Sequence, residues 1–490
     1  MDEFLGKKKQ SAPDAKLRTN QARNLLIRRS PNTGTINSGH ALTVAERESC
    51  QLMKHTTRLA LIRCFVIQPM VALGAFAFLL DAGYAQQAAP SPSPATVKTS
   101  GGKETKEGKK VALQPKPPEP RFKLYGWIEG GITGNPNAPV GNNNFGHLFT
   151  DRANEPLLNQ MVITAERTLD TNATGFDWGF KFQFMYGSDA RYIHSLGLLD
   201  LATNDRVQPD IVEAYANLHL PIITAGGLDL KIGKFVTLEG AETIDPRTNV
   251  FYSHSYIFNF GIPFNNTGAQ AVLHATKWLD IYAGINRGVN TSLNDNNQSV
   301  AFEGGLGLNL LDGNLTVLAI THAGPETPHN NRDWRYLNDI AATWKITKQF
   351  TSITDLNLIY DEGPSAYGYG VAQYFTYSVN DWLQLGIRGE IWRDEKGFYV
   401  AQFRANNDFI HFLRGDTIPF DPSNLGGGET TYLAITGGVT IKPPMPKPIA
   451  GLLIRPEVRY DRALTDRFKP FEQNTSRDQW TIGFDAVLQF

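Results

Sequence analysis

Gln479-Trp-Thr-Ile-Gly-Phe-Asp-Ala-Val-Leu-Gln-Phe490 closes the chain, and its reading decides the fold. Trp480, Ile482, Phe484, Ala486, Leu488 and Phe490 share one parity and are all apolar. Thr481, Gly483, Asp485 and Gln489 fill the other parity with small or polar groups, Val487 being the exception. A period of two puts successive side chains on opposite faces, so this is a strand with one apolar and one polar face. Its length matches the roughly 9–11 tilted residues with which a β-strand crosses a bilayer. A closing strand of a soluble sandwich would share the alternation, so the choice rests on the rest of the chain.

Bulk properties leave the barrel reading open and exclude others. At 490 residues the chain would ordinarily suggest about three domains, but all-β barrels of this size fold as one. A mean hydropathy of −0.29 excludes a polytopic helical membrane protein, whereas barrel strands, only half apolar, are hydropathically quiet. The two cysteines, Cys50 and Cys64, both precede the strand-rich region, so no disulfide framework is expected there.

Residues 1–52 are polar and basic without a period and read as an upstream leader or a misassigned start. From Met53 a basic flank (Lys54, His55, Arg58, Arg63) leads into an apolar run over 70–80 and then Ala82-Gly-Tyr-Ala85. Such a pattern describes a secretory signal over 53–85, cleaved after Ala85, its apolar core too short to span as a helix. Residues 86–121 are Pro- and Lys-rich, with seven basic residues against three acidic, and read as a disordered periplasmic tether.

From Phe122 the chain is strand after strand. Trp178, Phe180, Phe182 and Phe184 alternate with Asp177, Gly179, Lys181 and Gln183; Leu452, Ile454, Val458 and Tyr460 alternate with Arg455, Glu457, Arg459 and Asp461. The connections separate barrel from sandwich. Short ones fall near 170–175, 221–227, 275–278, 311–314, 346–349, 379–382 and 442–449. Eight mostly longer ones fall near 133–156, 187–210, 239–265, 287–298, 323–334, 361–367, 394–430 and 462–478. Strict alternation of short and long is the mark of an outer-membrane barrel, with tight periplasmic turns on one rim and extracellular loops on the other. A sandwich has no physical reason to do this. The expected fold is therefore all-β, a transmembrane antiparallel β-barrel of about sixteen strands over 122–490. Trp278, Trp344, Phe350 and Trp382 flank the short turns as an interfacial aromatic girdle would.

A family resemblance appears at Lys231-Ile-Gly-Lys-Phe235, Glu239-Gly-Ala-Glu242, Phe251-Tyr252 and Ser255-Tyr256 through Pro263 to Gly268, after the porin-like Val212-Glu-Ala-Tyr215. Over roughly 120–490 the chain resembles the OmpL-like β-barrel porin family, and its aromatic end resembles the C-terminal sorting signal of such barrels, carried by Trp480, Phe484, Leu488 and Phe490. The resemblance implies a channel of the bacterial outer membrane without a defined substrate.

A sixteen-stranded barrel leaves an aqueous lumen whose selectivity comes from what narrows it. The 239–265 connection is the candidate constriction, because an apolar run from Phe251 to Phe264 is costly in an exposed loop and would fold inward, the alternatives being packing on a neighbouring subunit or over the mouth. It brings Glu239, Glu242, Asp245 and Arg247. Opposite it the polar-face parity of the wall offers Lys181, Lys231, Arg388, Arg455 and Arg459, so an acidic loop would face a basic wall across the passage. Glu457 lies between Arg455 and Arg459 with the same parity, so part of that charge is neutralised locally. Residues 1–85 carry twelve basic and six acidic groups, which with the tether leaves 122–490 at −11 of a chain total of −1, a mild bias towards cations.

The expected function is passive diffusion of small hydrophilic solutes or ions. The alternative is a plugged structural or adhesin-type barrel with binding loops, whose signature would be bulky apolar residues in the lumen parity class. Enzyme motifs with the required context are absent, and His254 beside Ser253 and Ser255, or His194 beside Ser195, are only sequence neighbours. No cofactor, metal or nucleic acid is expected. Expected partners are outer-membrane lipid, the barrel-assembly machinery and the solutes themselves, with a homotrimer left open.

Overall fold

In a computed structural model, residues 121–403, 406–416 and 426–490 are described; the leader, the signal segment and the tether up to residue 120 lie outside them. Sixteen antiparallel strands close into one barrel in sequence order, β1 (Phe122–Gly134) pairing with β16 (Asp478–Gln489). The seam runs from Gly134↔Ile482 to Trp127↔Gln489, and Gly126 and Phe490 then exchange both backbone hydrogen bonds at 3.0 Å. Closure leaves no unpaired edge, which is what allows strands to stand in lipid.

The remaining strands are β2 (Pro156–Arg167), β3 (Asp177–Gly187), β4 (Gln208–Leu220), β5 (Leu228–Val236), β6 (Asn265–His274), β7 (Leu279–Asn286) and β8 (Ala301–Leu310). They continue as β9 (Leu315–Pro325), β10 (Trp334–Lys345), β11 (Phe350–Asp361), β12 (Ala366–Asn380), β13 (Leu383–Asp394), β14 (Thr430–Ile441) and β15 (Gly451–Ala463). Two short helices, α1 (Ala190–Ile193) and α2 (Asp408–Arg414), sit in the β3–β4 and β13–β14 connections. Among the described residues no helix is long and apolar enough to cross a membrane, which says nothing against strands doing so.

The terminal strand behaves as its sequence reads. Trp480, Ile482 and Phe484 are 45–57% exposed on the outside, while Thr481, Asp485 and Val487 between them are buried inside. Trp278, Trp344 and Trp382 lie exposed at the short-turn end. A second aromatic band, not anticipated from sequence, lies along the other end across β8–β12 as Phe302, Trp334, Tyr336, Tyr360 and Tyr367, with ring centroids 4.3–6.5 Å apart from one to the next. Trp334 and Trp344 are ten residues apart on β10. At about 3.3 Å per residue and a strand tilt of roughly 40°, that separates the two aromatic bands by about 25 Å, the height of the apolar band of such barrels.

The 361–367 connection is the short member of the mostly longer set: only residues 362–365 separate β11 from β12, fewer than in the turns 168–176 or 442–450 of the short set. Register explains this: β11 and β12 stay paired to Asp361↔Ala366, so the strands themselves consume the residues a loop would use.

Candidate functional site

The 237–264 connection between β5 and β6 is not solvated. Phe251, Tyr252, Tyr256, Phe258 and Phe264 are at most 3% exposed. A buried segment without a sheet partner must find acceptors and donors for its backbone elsewhere, and here inward-facing side chains of distant strands supply them. Gly240 and Ala241 N–H donate to Asp339 on β10 and Asp355 on β11 at 2.8 and 3.0 Å. Tyr252 and Ser253 N–H both donate to Glu457 on β15 at 2.8 and 3.1 Å, and Tyr256 N–H donates to Glu390 on β13 at 2.7 Å. In the other direction Arg455 donates to the carbonyls of Pro246 and Asn249, Arg388 to that of Ser253, and Arg459 to that of His254, at 2.6–3.0 Å.

Glycine in the wall makes the close approach possible. A Cβ at Gly131 would stand 2.5 Å from the Tyr252 ring, and one at Gly386 2.8 Å from the Val250 side chain. The lumen-parity glycines of these strands are thus a bed for the loop.

The nine residues expected to form the constriction divide into two groups. Glu242, Arg388, Arg455 and Arg459 are buried where loop meets wall. Glu242 accepts from Arg388 Nη1 at 2.7 Å, from the Tyr374 hydroxyl at 2.9 Å and from the Ser255 N–H at 2.9 Å, with His254 Nδ1 3.0 Å away. Burial alone would raise its pKa, but the Arg388 charge and the His254 contact outweigh burial and bring it down to about 2. The expected gap between acidic loop and basic wall does not exist at these residues: the three arginines hold the loop rather than face it across water. Their remaining charge meets Glu390, Asp461 and Asp485, with Arg388–Glu390 at 3.2 Å, Arg459–Asp461 at 2.7 Å and Arg455 Nε–Asp485 at 3.0 Å. Sequence reasoning singled out Glu457 but not these three. The signal was there, a carboxylate two residues from Arg388 and from Arg459 with the same parity.

Glu239 is also buried, paired with the Thr237 hydroxyl through one oxygen while the other has no partner among the described residues. Burial pushes its pKa well up, and the charges of Glu303 and Asp339 push further in the same direction. Burial and the neighbouring carboxylates thus both act against its charged form.

The second group stays half-exposed inside the barrel. Asp245 and Arg247 form an ion pair at 2.6 Å at the loop's tip, 29% and 23% exposed, with the guanidinium 4.0 Å from the centre of the Trp127 ring. Lys181 on β3 pairs with Glu213 on β4. Lys231 on β5 lies over the Tyr215 and Phe235 rings at 5.1 and 5.4 Å and has no ion-pair partner among the described residues. Tyr125, Glu166, Tyr215 and Asn217, absent from the sequence-based set, continue the same half-exposed strip along β1–β4.

At the long-connection end four connections meet in an aromatic cluster. Phe149 of the β1–β2 connection lies 4.9–5.5 Å from the rings of Tyr192, His254, Phe258 and Phe264, and Phe409 of α2 lies 5.9 Å from both Tyr192 and Phe264. Bulky apolar residues do occupy the lumen parity here, Leu337, Ile359 and Trp392 among them, and Trp127 does so nearer the short-turn end. Part of the 394–430 connection, expected among the outer loops, is buried at Tyr399, Val400 and Ile410, the first two within the apolar cluster.

No curated protein matches the chain. Solved outer-membrane proteins are similar to it at low identity. OmpT of Vibrio cholerae is 11% identical with a TM-score of 0.43, covering 75% of this chain and 97% of its own. The outer membrane channel DcaP of Acinetobacter baumannii is 11% identical with a TM-score of 0.44, covering 75% and 97%. The anion-selective porin from Comamonas acidovorans is 6% identical with a TM-score of 0.47, covering 75% and 99%. The family model described as "Putative beta-barrel porin-2, OmpL-like" matches residues 121–490, the whole of the barrel, and the chain belongs to that family of outer-membrane β-barrel porins.

Proposed function

We propose that the protein is a passive porin, carrying small hydrophilic solutes or ions past the tip of the 237–264 loop and along the inner face of β1–β5. The observation that carries this reading is the half-exposed charged strip of Lys181, Asp245 and Arg247, in an interior whose other charged groups are mostly buried. Charges partly open to water and walled by protein act on a passing ion far more strongly than charges on an outer rim. The loop, held by buried arginine and carboxylate contacts, serves as a fixed constriction element. Long connections face outwards and both termini face the periplasm, where an exported chain emerging from a signal over 53–85, cut before Gln86, would leave its tether. Folding would use the barrel-assembly machinery through the Trp480, Phe484, Leu488 and Phe490 face.

A second reading, the plugged structural barrel, is favoured by the aromatic cluster of Phe149, Tyr192, Phe258, Phe264 and Phe409. Purified protein in a planar bilayer distinguishes the two. A porin gives stable ohmic steps whose reversal potential in a salt gradient reports selectivity. Insertion without conductance overturns the porin reading in favour of the plug.

A further inference from the structure

Two adjoining cavities open among the long connections, away from the loop tip. The first, about 360 Å³, is walled by Phe260, Phe398, Tyr399, Phe403, Phe409 and Phe412. The second, about 420 Å³, shares Val289, Arg335, Pro364, Phe398, Phe412 and Leu413 with the first. Both volumes fall in the roughly 300–1,000 Å³ range of small-molecule sites, and an apolar wall with a few convergent polar groups is what such sites present.

Arg335 stands at the junction. Asp361 takes its Nε and Nη2 at 2.9 and 2.6 Å, and Nη1 makes no hydrogen bond among the described residues. A guanidinium with one free edge is shaped to take a planar anion. Lys396 adds a second cation at the rim of the first cavity. The acids nearby oppose this less than their number suggests. Asp361 is already paired, and Asp416 is paired with Arg414 at 3.3 Å and lies 3.0 Å from His411. Burial pushes Glu326 up to about 8 against the lowering pull of Arg335, which weakens its negative charge, and it accepts from the Val289 N–H at 3.0 Å. Asp333, bonded by Asn330 at 2.6 Å, is the carboxylate left at the mouth of the second cavity. Two buried polar atoms, Asn259 Oδ1 in the first cavity's wall and Thr327 Oγ1 in the second's, lack partners among the described residues.

We propose that these cavities form a binding site for a small aromatic monocarboxylate, its ring among Phe398, Phe403, Phe409 and Phe412 and its carboxylate on Arg335. Rings prefer edge-to-face and offset contacts with other rings, which an aliphatic chain does not supply. The site stands whether or not solute passes through the barrel, because binding is measured without passage.

Calorimetric titration of the purified, detergent-folded full chain tests it, with phenylacetate as probe. Acetate lacks the ring, benzyl alcohol lacks the charge and phenethylamine reverses it. Phenylacetate should bind at least about tenfold more tightly than each of the three. Arg335→Lys keeps the charge but loses the fork and should cost about tenfold. Leu413→Trp, at the wall shared by both cavities, should abolish binding by filling the space; heat-modifiable mobility on gels establishes that each variant is folded. Phenylacetate binding no tighter than acetate, tighter binding of phenethylamine, or phenylacetate affinity untouched by Leu413→Trp overturns the assignment. Absence of conductance leaves it standing.

Discussion

Arg388 and Glu242, 146 residues apart, form a buried ion pair at 2.7 Å that ties the β5–β6 connection to β13. Arg388→Ala should therefore do more than weaken the loop. Removing one partner of a buried pair leaves the other charge uncompensated and costs about 3–5 kcal/mol. The heat-modifiability midpoint should fall markedly, and single-channel records should become noisier as the loop is released. An unchanged midpoint with quiet channels would show that the pair does not hold the loop.

Glu242 also predicts a pH dependence. Its pKa lies at about 2 in the folded barrel against 4.5 for a free glutamate, so the stabilisation is present above about pH 4.5 and is lost as pH falls towards 2. The difference corresponds to about 3 kcal/mol. Wild-type and Glu242→Gln midpoints should be well separated at pH 6 and converge by pH 2.5. A separation independent of pH would contradict the assignment.

Glu239 carries the opposite sign. Its folded pKa is raised, so ionisation above the unfolded value works against the folded state. Glu239→Gln should leave stability unchanged or raise it at neutral pH and leave the reversal potential where it was. Asp245→Asn, removing the half-exposed partner of Arg247, should shift selectivity towards anions. The shift should grow as salt falls, because screening lengths rise from about 10 Å at 0.1 M to about 30 Å at 0.01 M. Equal effects of the two substitutions would place the passage elsewhere.

Topology is tested by cysteine labelling of intact cells. Asn331→Cys, between β9 and β10, should react with an impermeant reagent, and Lys348→Cys, in the turn between β10 and β11, should not. The reverse pattern inverts the barrel.

Phe490→Ser tests the sorting face. Its ring is 49% exposed on the outer surface and its backbone closes the seam with Gly126. The variant should accumulate in the periplasm and be degraded, with little heat-modifiable protein in the outer membrane. Normal levels there would show that the terminal ring is not read during assembly.

Much of this architecture is legible in sequence because a strand's period is local. Trp480, Ile482 and Phe484 point outwards and Thr481 and Asp485 inwards as a consequence of successive Cβ directions, which need no knowledge of any partner. Strand number and closure followed from the alternation of short and mostly longer connections, and the 361–367 connection came out short because register keeps β11 and β12 paired to Asp361↔Ala366. Parity also placed Lys181, Lys231, Arg388, Arg455 and Arg459 on the inner face.

Sequence alone thus determined the strands, their two faces and the barrel. Tertiary structure alone decided what each inner charge does. Whether Arg459 faces water or donates to the His254 carbonyl at 2.6 Å depends on a loop some two hundred residues away. Alternation specifies the side of the wall, but not the depth at which a loop's unpaired N–H and C=O groups must find partners. Burying that loop required partners, and Arg388, Glu390, Arg455, Glu457 and Arg459 supply them. What parity marked as one charged wall therefore became, on closure, a buried anchorage on β13 and β15 and a half-exposed strip on β1–β5.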